Sequence, residues 1–330
     1  MLGSRVRSPP VRPLAWKNVR GGVFRTANDF WPKVEKRDNG DLGVIATVKR
    51  SRLGGEKKNG EMRMSLSVTE YLQRIGYGGG TEPTVGNLGA LVRAHRLAVP
   101  YETLDLWRGH HVELTVESLY GKIVVRRRGG YCFELNGLFS WLLRELGYNV
   151  REYFGRWHLN ETLAVPKRRH RVICVALPGR PNCLVDVGIS LPLMTAPLEL
   201  AFDKVQANGR NYCRVVRDPS LSCVVEIRRR DGAWVRLFSF DTAPQLPIDF
   251  DYAHYWCETH PTSVFRRQLW VCLPKADGSI KTIGQEDDAA SGEKRLVYAF
   301  TPATGPQEKT VLGDEAALAG ALKTHFGLVE

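Results

Sequence analysis

The chain has 330 residues, 43% hydrophobic and 25% charged, with a formal net charge of +12; this is a globular composition, long enough for one large core or two to three modest ones. No uninterrupted apolar stretch approaches the roughly 20 residues that cross a bilayer, and the opening "MLGSRVRSPPVRPLAW" lacks the apolar block of a secretory signal, so the expected setting is cytoplasmic, with no membrane partner. The seven cysteines are irregularly spaced and contain no CxxC, which argues for reduced thiols and against a disulfide framework or a metal site.

Residues 1–63 hold 15 Lys and Arg against 6 Asp and Glu, whereas the rest of the chain holds 32 against 29. Most of the positive excess therefore sits in this segment, and no aromatic-interleaved basic stripe supports nucleic-acid binding by the main body. The segment reads as a basic, poorly structured extension whose one strand-like run is "LGVIATV" at 42–48. An Arg-rich transit peptide would suit its acid-poor start, but Pro9, Pro10 and Pro13 interrupt the amphipathic helix that such a signal needs. A translation start placed too far upstream is the plainer explanation, because Met64 opens "MSLSVTEYLQRIGY". There Ser67 or Thr69 can cap a helix with Tyr71, Leu72 and Ile75 on one face.

Residues 64–148 read as a helical domain. "GYGGGTEP" (76–83) is a linker rather than a phosphate loop, since no strand precedes it and no Gly-Lys-Ser/Thr follows. Helices are expected over 84–97, over 115–124 and from Cys132 onward. From 149 to 260 the runs "NVREYFGRWHL", "HRVICVAL", "NCLVDVGI", "NYCRVVRD", "CVVEIRRR" and "AWVRLFSF" alternate with turn residues. They predict antiparallel strands, a small barrel or sandwich. Residues 261–330 mix strands with a closing helix, with Asp314 as its N-cap and Gly327 as its stop. The fold class is α+β.

Within "RRGGYCFELN" (127–136), Cys132 opens a helix, where unpaired backbone N–H groups and the helix dipole favour an anion. Gly129 and Gly130 let the chain turn sharply and bring its backbone close to a substrate. A nucleophilic cysteine needs a base and an orienting group. His170 opens one strand and Asp186 lies in the next; their even separation lets both side chains share a face. An aspartate flanked by Val185 and Val187 also needs a partner if it is buried. The alternatives are an arginine salt bridge for Asp186, a solvated strand edge for His170 and an inert buried thiol for Cys132.

"RRGGYCFELNGLF", His170, "LVDVG" with Asp186, and "VPYETLDL" (99–106) together resemble the arylamine N-acetyltransferase family over roughly residues 64–330. The resemblance implies a helical domain, a β-barrel and a C-terminal α/β lid around a papain-like catalytic core. It also implies acetyl-CoA or a related acyl-CoA as co-substrate and a small arylamine, hydrazine or arylhydroxylamine as acceptor. Cys132 would carry the acyl group in ping-pong transfer, His170 would pair with the thiolate and relay protons, and Asp186 would orient the imidazole; no metal is required. Two departures concern the acceptor. Ile189 and Ser190 stand in "DVGIS" where the family commonly has Phe-Gly, and Tyr101 stands where it has Phe in a Pro-Phe-Glu-Asn-Leu element. Arg169 is the nearest candidate for the CoA phosphates. Other readings are an amide synthase of the same fold, a papain- or transglutaminase-like hydrolase, and a nucleic-acid or membrane-surface module in residues 1–63.

Overall fold

In the computed structural model the described residues are 66–329, apart from 192–193, 230 and 289–290, together with strands β1 (Val34–Lys36) and β2 (Leu42–Val44). The chain divides into two compact units, Met1–Met62 and Arg63–Glu330. In the first, β1 and β2 pair antiparallel. The other expectations for residues 1–65, including the start at Met64, lie outside the described residues.

Polar caps set the helix boundaries in the second unit. Ser67 accepts from the Glu70 N–H to start α1 (Val68–Arg74), and Thr84 accepts from the Asn87 N–H to start α2 (Val85–Ala98). The glycine-rich stretch is the connection between them. After β3 (Tyr101–Glu102) and α3 (Leu104–Arg108), α4 (Val116–Tyr120) runs on as a π-helical turn, Gly121–Val125, before α5 (Cys132–Glu145). Buried Arg74 donates to Ala98 O (2.8 Å) and Ile123 O (2.9 Å). One guanidinium thus satisfies carbonyls at two helix ends, where a cation is electrostatically favoured. Leu88 and Leu91 of α2 and Leu135, Leu138 and Leu142 of α5 are fully buried together.

Eight antiparallel strands follow: β4 (Asn149–Trp157), β5 (Arg168–Ala176), β6 (Cys183–Val185), β7 (Leu198–Glu199), β8 (Gln206–Asn208), β9 (Asn211–Asp218), β10 (Ser222–Arg228) and β11 (Trp234–Phe240), in the order β7-β6-β5-β4-β11-β10-β9-β8. The sheet curls into a nearly closed barrel. At its seam no ladder joins β7 to β8; instead the Gln206 amide accepts from the Glu199 N–H and donates to the Glu199 carbonyl, each at 2.9 Å. A side chain thus satisfies backbone groups that an open edge would leave bare. Val172, Leu184, Val225, Leu237 and Phe238 fill the interior.

Three short helical elements follow the barrel: a 3₁₀ turn, Pro247–Phe250, then α6 (Asp251–Thr259) and, after a turn, α7 (Val264–Arg267). Phe250, His254 and Cys257 recur at helical spacing and are buried. Strands β12 (Val271–Pro274), β13 (Ile280–Asp287), β14 (Lys294–Thr301) and β15 (Glu308–Leu312) form a second antiparallel sheet, which β3 joins through β12. The closing helix α8 (Glu315–Ala321) is capped by Asp314, runs on as a π-helical turn and stops at left-handed Gly327. Its Leu318, Leu322 and Phe326 cover Val271 and Ile283 of the sheet. No helix among the described residues is long and apolar enough to cross a membrane.

Candidate active site

Helix α5 starts at Cys132 because its first turn is prepared from both sides. Glu134 reaches back to accept the Tyr131 N–H at 3.1 Å, the acidic half of a capping box. Gly129 and Gly130 have ordinary backbone angles rather than left-handed ones, so their role differs from the sharp turn expected of them. A Cβ on Gly129 would collide with the Pro100 carbonyl, and one on Gly130 would lie 2.9 Å from Glu134. The glycines therefore allow close packing of the strand that carries Tyr101, which bridges to Gly130, against the turn that carries the cysteine. Beneath that turn Lys122 donates to Glu134 and meets Asp105, each at 2.6 Å. Burial opposes charge on this ammonium, but Glu102, Glu134 and Asp105 overcome it and raise its pKa.

Cys132, His170 and Asp186 come together although 54 residues separate the first from the last. The β5–β6 register pairs Ile173 with Val185; continued, it places Asp186 across from Val172, two positions from His170 and on the same face. His170 Nε2 lies 2.6 Å from Asp186 Oδ2. That bond leaves Nδ1 free of Asp186 and open to Cys132, whose thiol donates to the Arg169 carbonyl at 3.6 Å and acts on the imidazole charge. Burial opposes the imidazolium, yet the charge and hydrogen bond of Asp186, with Cys132 beside it, lift the His170 pKa to about 10. The rings of Trp157 and Phe238 flank the imidazole at 5.6 and 5.4 Å and limit its rotation. The arginine salt bridge considered for Asp186 does not form. Its partner is the histidine, and Arg96 instead donates to the Asp186 backbone carbonyl at 3.3 Å.

Sequence reasoning missed Asn136, one turn after Cys132 and fully buried. Its amide donates to Asp186 Oδ1 (2.9 Å) and Arg171 O (2.7 Å), and its oxygen accepts the Val187 N–H (2.9 Å). The Gly188 N–H completes the Asp186 carboxylate at 2.8 Å. Asn136 thus joins the helix of the nucleophile to the strand of the base and the loop of the acid. The available signal was an asparagine on the inward face of an otherwise apolar helix. Gly188 belongs to the same packing, because a Cβ there would lie 2.6 Å from the Cys132 Cα.

A cleft of about 590 Å³ opens over the thiol, and Tyr101, Arg169, His170 and Ile189 line it with Cys132. Tyr101 reaches it through the β3–β12 pairing, opposite Cys272. Arg169 faces the cleft, where its guanidinium pairs with Glu161 and lies 5.6 Å from the Phe265 ring centroid. Trp157, Trp270 and Arg267 also line the cleft and were not read from the sequence.

A family model described as N-acetyltransferase matches residues 84–329. The arylamine N-acetyltransferase of Mycobacterium tuberculosis (strain H37Rv) is 36% identical over 269 residues, covering 80% of this chain and 90% of that protein. The chain belongs to the arylamine N-acetyltransferase family. It is an enzyme fold in solved structures too: the Mycobacterium marinum arylamine N-acetyltransferase in complex with CoA superposes with a TM-score of 0.68 at 35% identity, covering 79% of this chain and 93% of that one. The Salmonella typhimurium protein described as arylamine N-acetyltransferase / N-hydroxyarylamine O-acetyltransferase is 34% identical over 201 residues, covering 61% of this chain and 70% of that protein.

Proposed function

We propose that this enzyme moves an acetyl or similar short acyl group from acyl-CoA, through a Cys132 thioester, to the nitrogen of an arylamine, hydrazine or arylhydroxylamine. The observation that carries the reading is the buried Cys132–His170–Asp186 constellation at the floor of a cleft. Cys132 Sγ attacks the thioester carbonyl, and the departing CoA sulfur takes the proton held on His170 Nδ1. The amine then attacks the acyl carbonyl, and His170 removes its proton as the Cys132 thiolate leaves, which restores the starting ion pair. Asp186 fixes the ring by its bond to Nε2 and balances the imidazolium. Among the described residues no acceptor is found for the backbone N–H of Cys132 or Phe133, so both are available to the anionic oxygen of each tetrahedral intermediate. The amine occupies the part of the cleft lined by Tyr101 and Ile189, and Arg169 contributes to the CoA end. The reading includes a cytoplasmic setting, supported by seven cysteines that are all free and buried.

Intact-protein mass after incubation with acetyl-CoA, malonyl-CoA or propionyl-CoA tests it. One acyl group is expected on the wild-type chain and none on Cys132→Ala. An adduct that persists in the alanine variant, or no adduct on either chain, overturns the proposal.

A further inference from the structure

A second cavity, of about 1140 Å³, is larger than the catalytic cleft and shares only Leu159, Asn160 and Leu191 with it. It is bounded by α2, the turns β8–β9, β10–β11 and β12–β13, and the end of β14. Its lining is strongly asymmetric in charge. Arg93, Arg228 and Lys275 face it, and among the described residues none of them forms a close ion pair, although the Lys275 charge acts on Asp277 two residues along the turn. Arg229 and Arg210 add to the set, the latter held by the Ala303 carbonyl at 3.3 Å. The two carboxylates of the lining are engaged locally: Asp231 with the Ala233 N–H and Arg229, Asp277 with the N–H and hydroxyl of Ser279.

A separate observation concerns Arg96, which also lines the cavity and is 5% exposed. Two of its nitrogens are satisfied by the carbonyls of Asp186 and Leu191, but its Nε is a buried donor with no acceptor. Native proteins rarely leave such a group unpaired. Clustered cations with a spare buried donor are stabilised by an anion with several acceptor oxygens, most effectively where water is partly excluded. The remaining walls, Leu97, Ile227, Val235 and the ring of Tyr212, suit a flat apolar body rather than a bare inorganic ion. The volume lies somewhat above the usual range of ligand pockets, about 300–1,000 Å³, and admits a nucleotide.

We propose that this cavity is a second ligand site, separate from the acyl-donor cleft, for a nucleotide-sized polyanion whose phosphate or carboxylate groups meet Arg93, Arg96, Arg228 and Lys275 while its ring system lies against Tyr212 and Ile227. The site does not depend on the acyl-transfer reading and is occupied with the cleft full or empty.

Calorimetric titration of the full chain with guanosine 5′-triphosphate as probe, in the wild type and in the cleft variant Arg267→Ala, tests this. The wild type is expected to bind one equivalent, with Kd changed less than about twofold by Arg267→Ala in the catalytic cleft, since the two sites are distinct. The double variant Arg228→Glu/Lys275→Glu is expected to bind about tenfold or more weakly, in line with reversal of two partly exposed charges near an anion. Its melting temperature and the acetylation of Cys132 by acetyl-CoA, read by mass on the same samples, are expected to match the wild type; Arg93→Glu gives a milder second variant. No binding by the wild type, a loss of binding in Arg267→Ala as large as in the double variant, or equal affinity in the charge-reversed variants overturns the proposal. Failure of Cys132 acylation with intact probe binding would count against the proposed reaction alone.

Discussion

Replacing Asn136 with alanine removes a side chain that is fully buried and makes three hydrogen bonds. The Arg171 carbonyl, the Val187 N–H and one acceptor site of the Asp186 carboxylate all lose their partner, and the cavity left is too enclosed to rehydrate each of them. An orphaned buried group costs roughly 1–3 kcal/mol, more when charged. Asp186 keeps His170 and the Gly188 N–H, so the three losses are not fully additive, and a total of about 3–5 kcal/mol is expected. For a folded unit of this size that corresponds to a drop in Tm of about 6–15 °C. The chemistry falls as well, because the loop of Asp186 is no longer tied to the helix of Cys132; we expect acylation of Cys132 to slow by about tenfold or more, the usual penalty for a catalytic group displaced by a fraction of an ångström. Denaturant unfolding gives the first quantity and stopped-flow acylation by acetyl-CoA the second. A stability loss below about 1 kcal/mol, together with unchanged acylation, would show that Asn136 does not join these elements and would refute the reasoning.

The His170 pKa is raised in the fold from 6.5 to about 10, so its pairing contributes stability that is fully present below about 6.5 and lost as pH rises through about 10. The stability difference between wild type and His170→Gln should shrink across that window, and a difference independent of pH from 6 to 10.5, about the span of the shift, would contradict it. Ile189→Phe returns an aromatic ring to the cleft, a contact worth about 0.5–1.5 kcal/mol beyond its area. It should raise kcat/KM for small anilines by about two- to twelvefold, and full efficiency of the wild type on such amines, matching that of the variant, would sink the argument. Arg267 lines the cleft with no carboxylate partner among the described residues, whereas Arg169 is paired with Glu161. Arg267→Ala is therefore expected to raise KM for acetyl-CoA more than Arg169→Ala does, and steady-state kinetics showing the reverse order would assign the phosphates to Arg169.

What could be read from sequence was local, or governed by simple periodicity. Ser67, Thr84, Asp314 and Gly327 mark helix ends in the chain as they do in the structure, because a cap satisfies backbone groups within three or four residues. Strand β9 coincides with "NYCRVVRD" because one face of it is buried and the other is wet. Strands β13 and β15 carry a weaker signal: β15 is exposed along almost its whole length and β13 is only partly buried along most of its own, so neither shows a clear apolar alternation. His170 and Asp186 were visible as a pair because a hairpin turns sequence spacing into register. Asn136 was not, because its partners Arg171 and Asp186 lie 35 and 50 residues away, and a polar residue in a helix is ordinarily assigned to the solvent face. Arg169 is the converse case. Its place beside His170 suggested a free cation for phosphate, yet Glu161, brought back by the turn between β4 and β5, already pairs with it. Sequence reports which charges exist near a nucleophile, but whether a given charge is available to a substrate depends on the carboxylate the fold sets against it. At this cleft that carboxylate leaves Arg267 as the cation without an internal counter-charge, and so as the residue on which recognition of an anionic donor should turn.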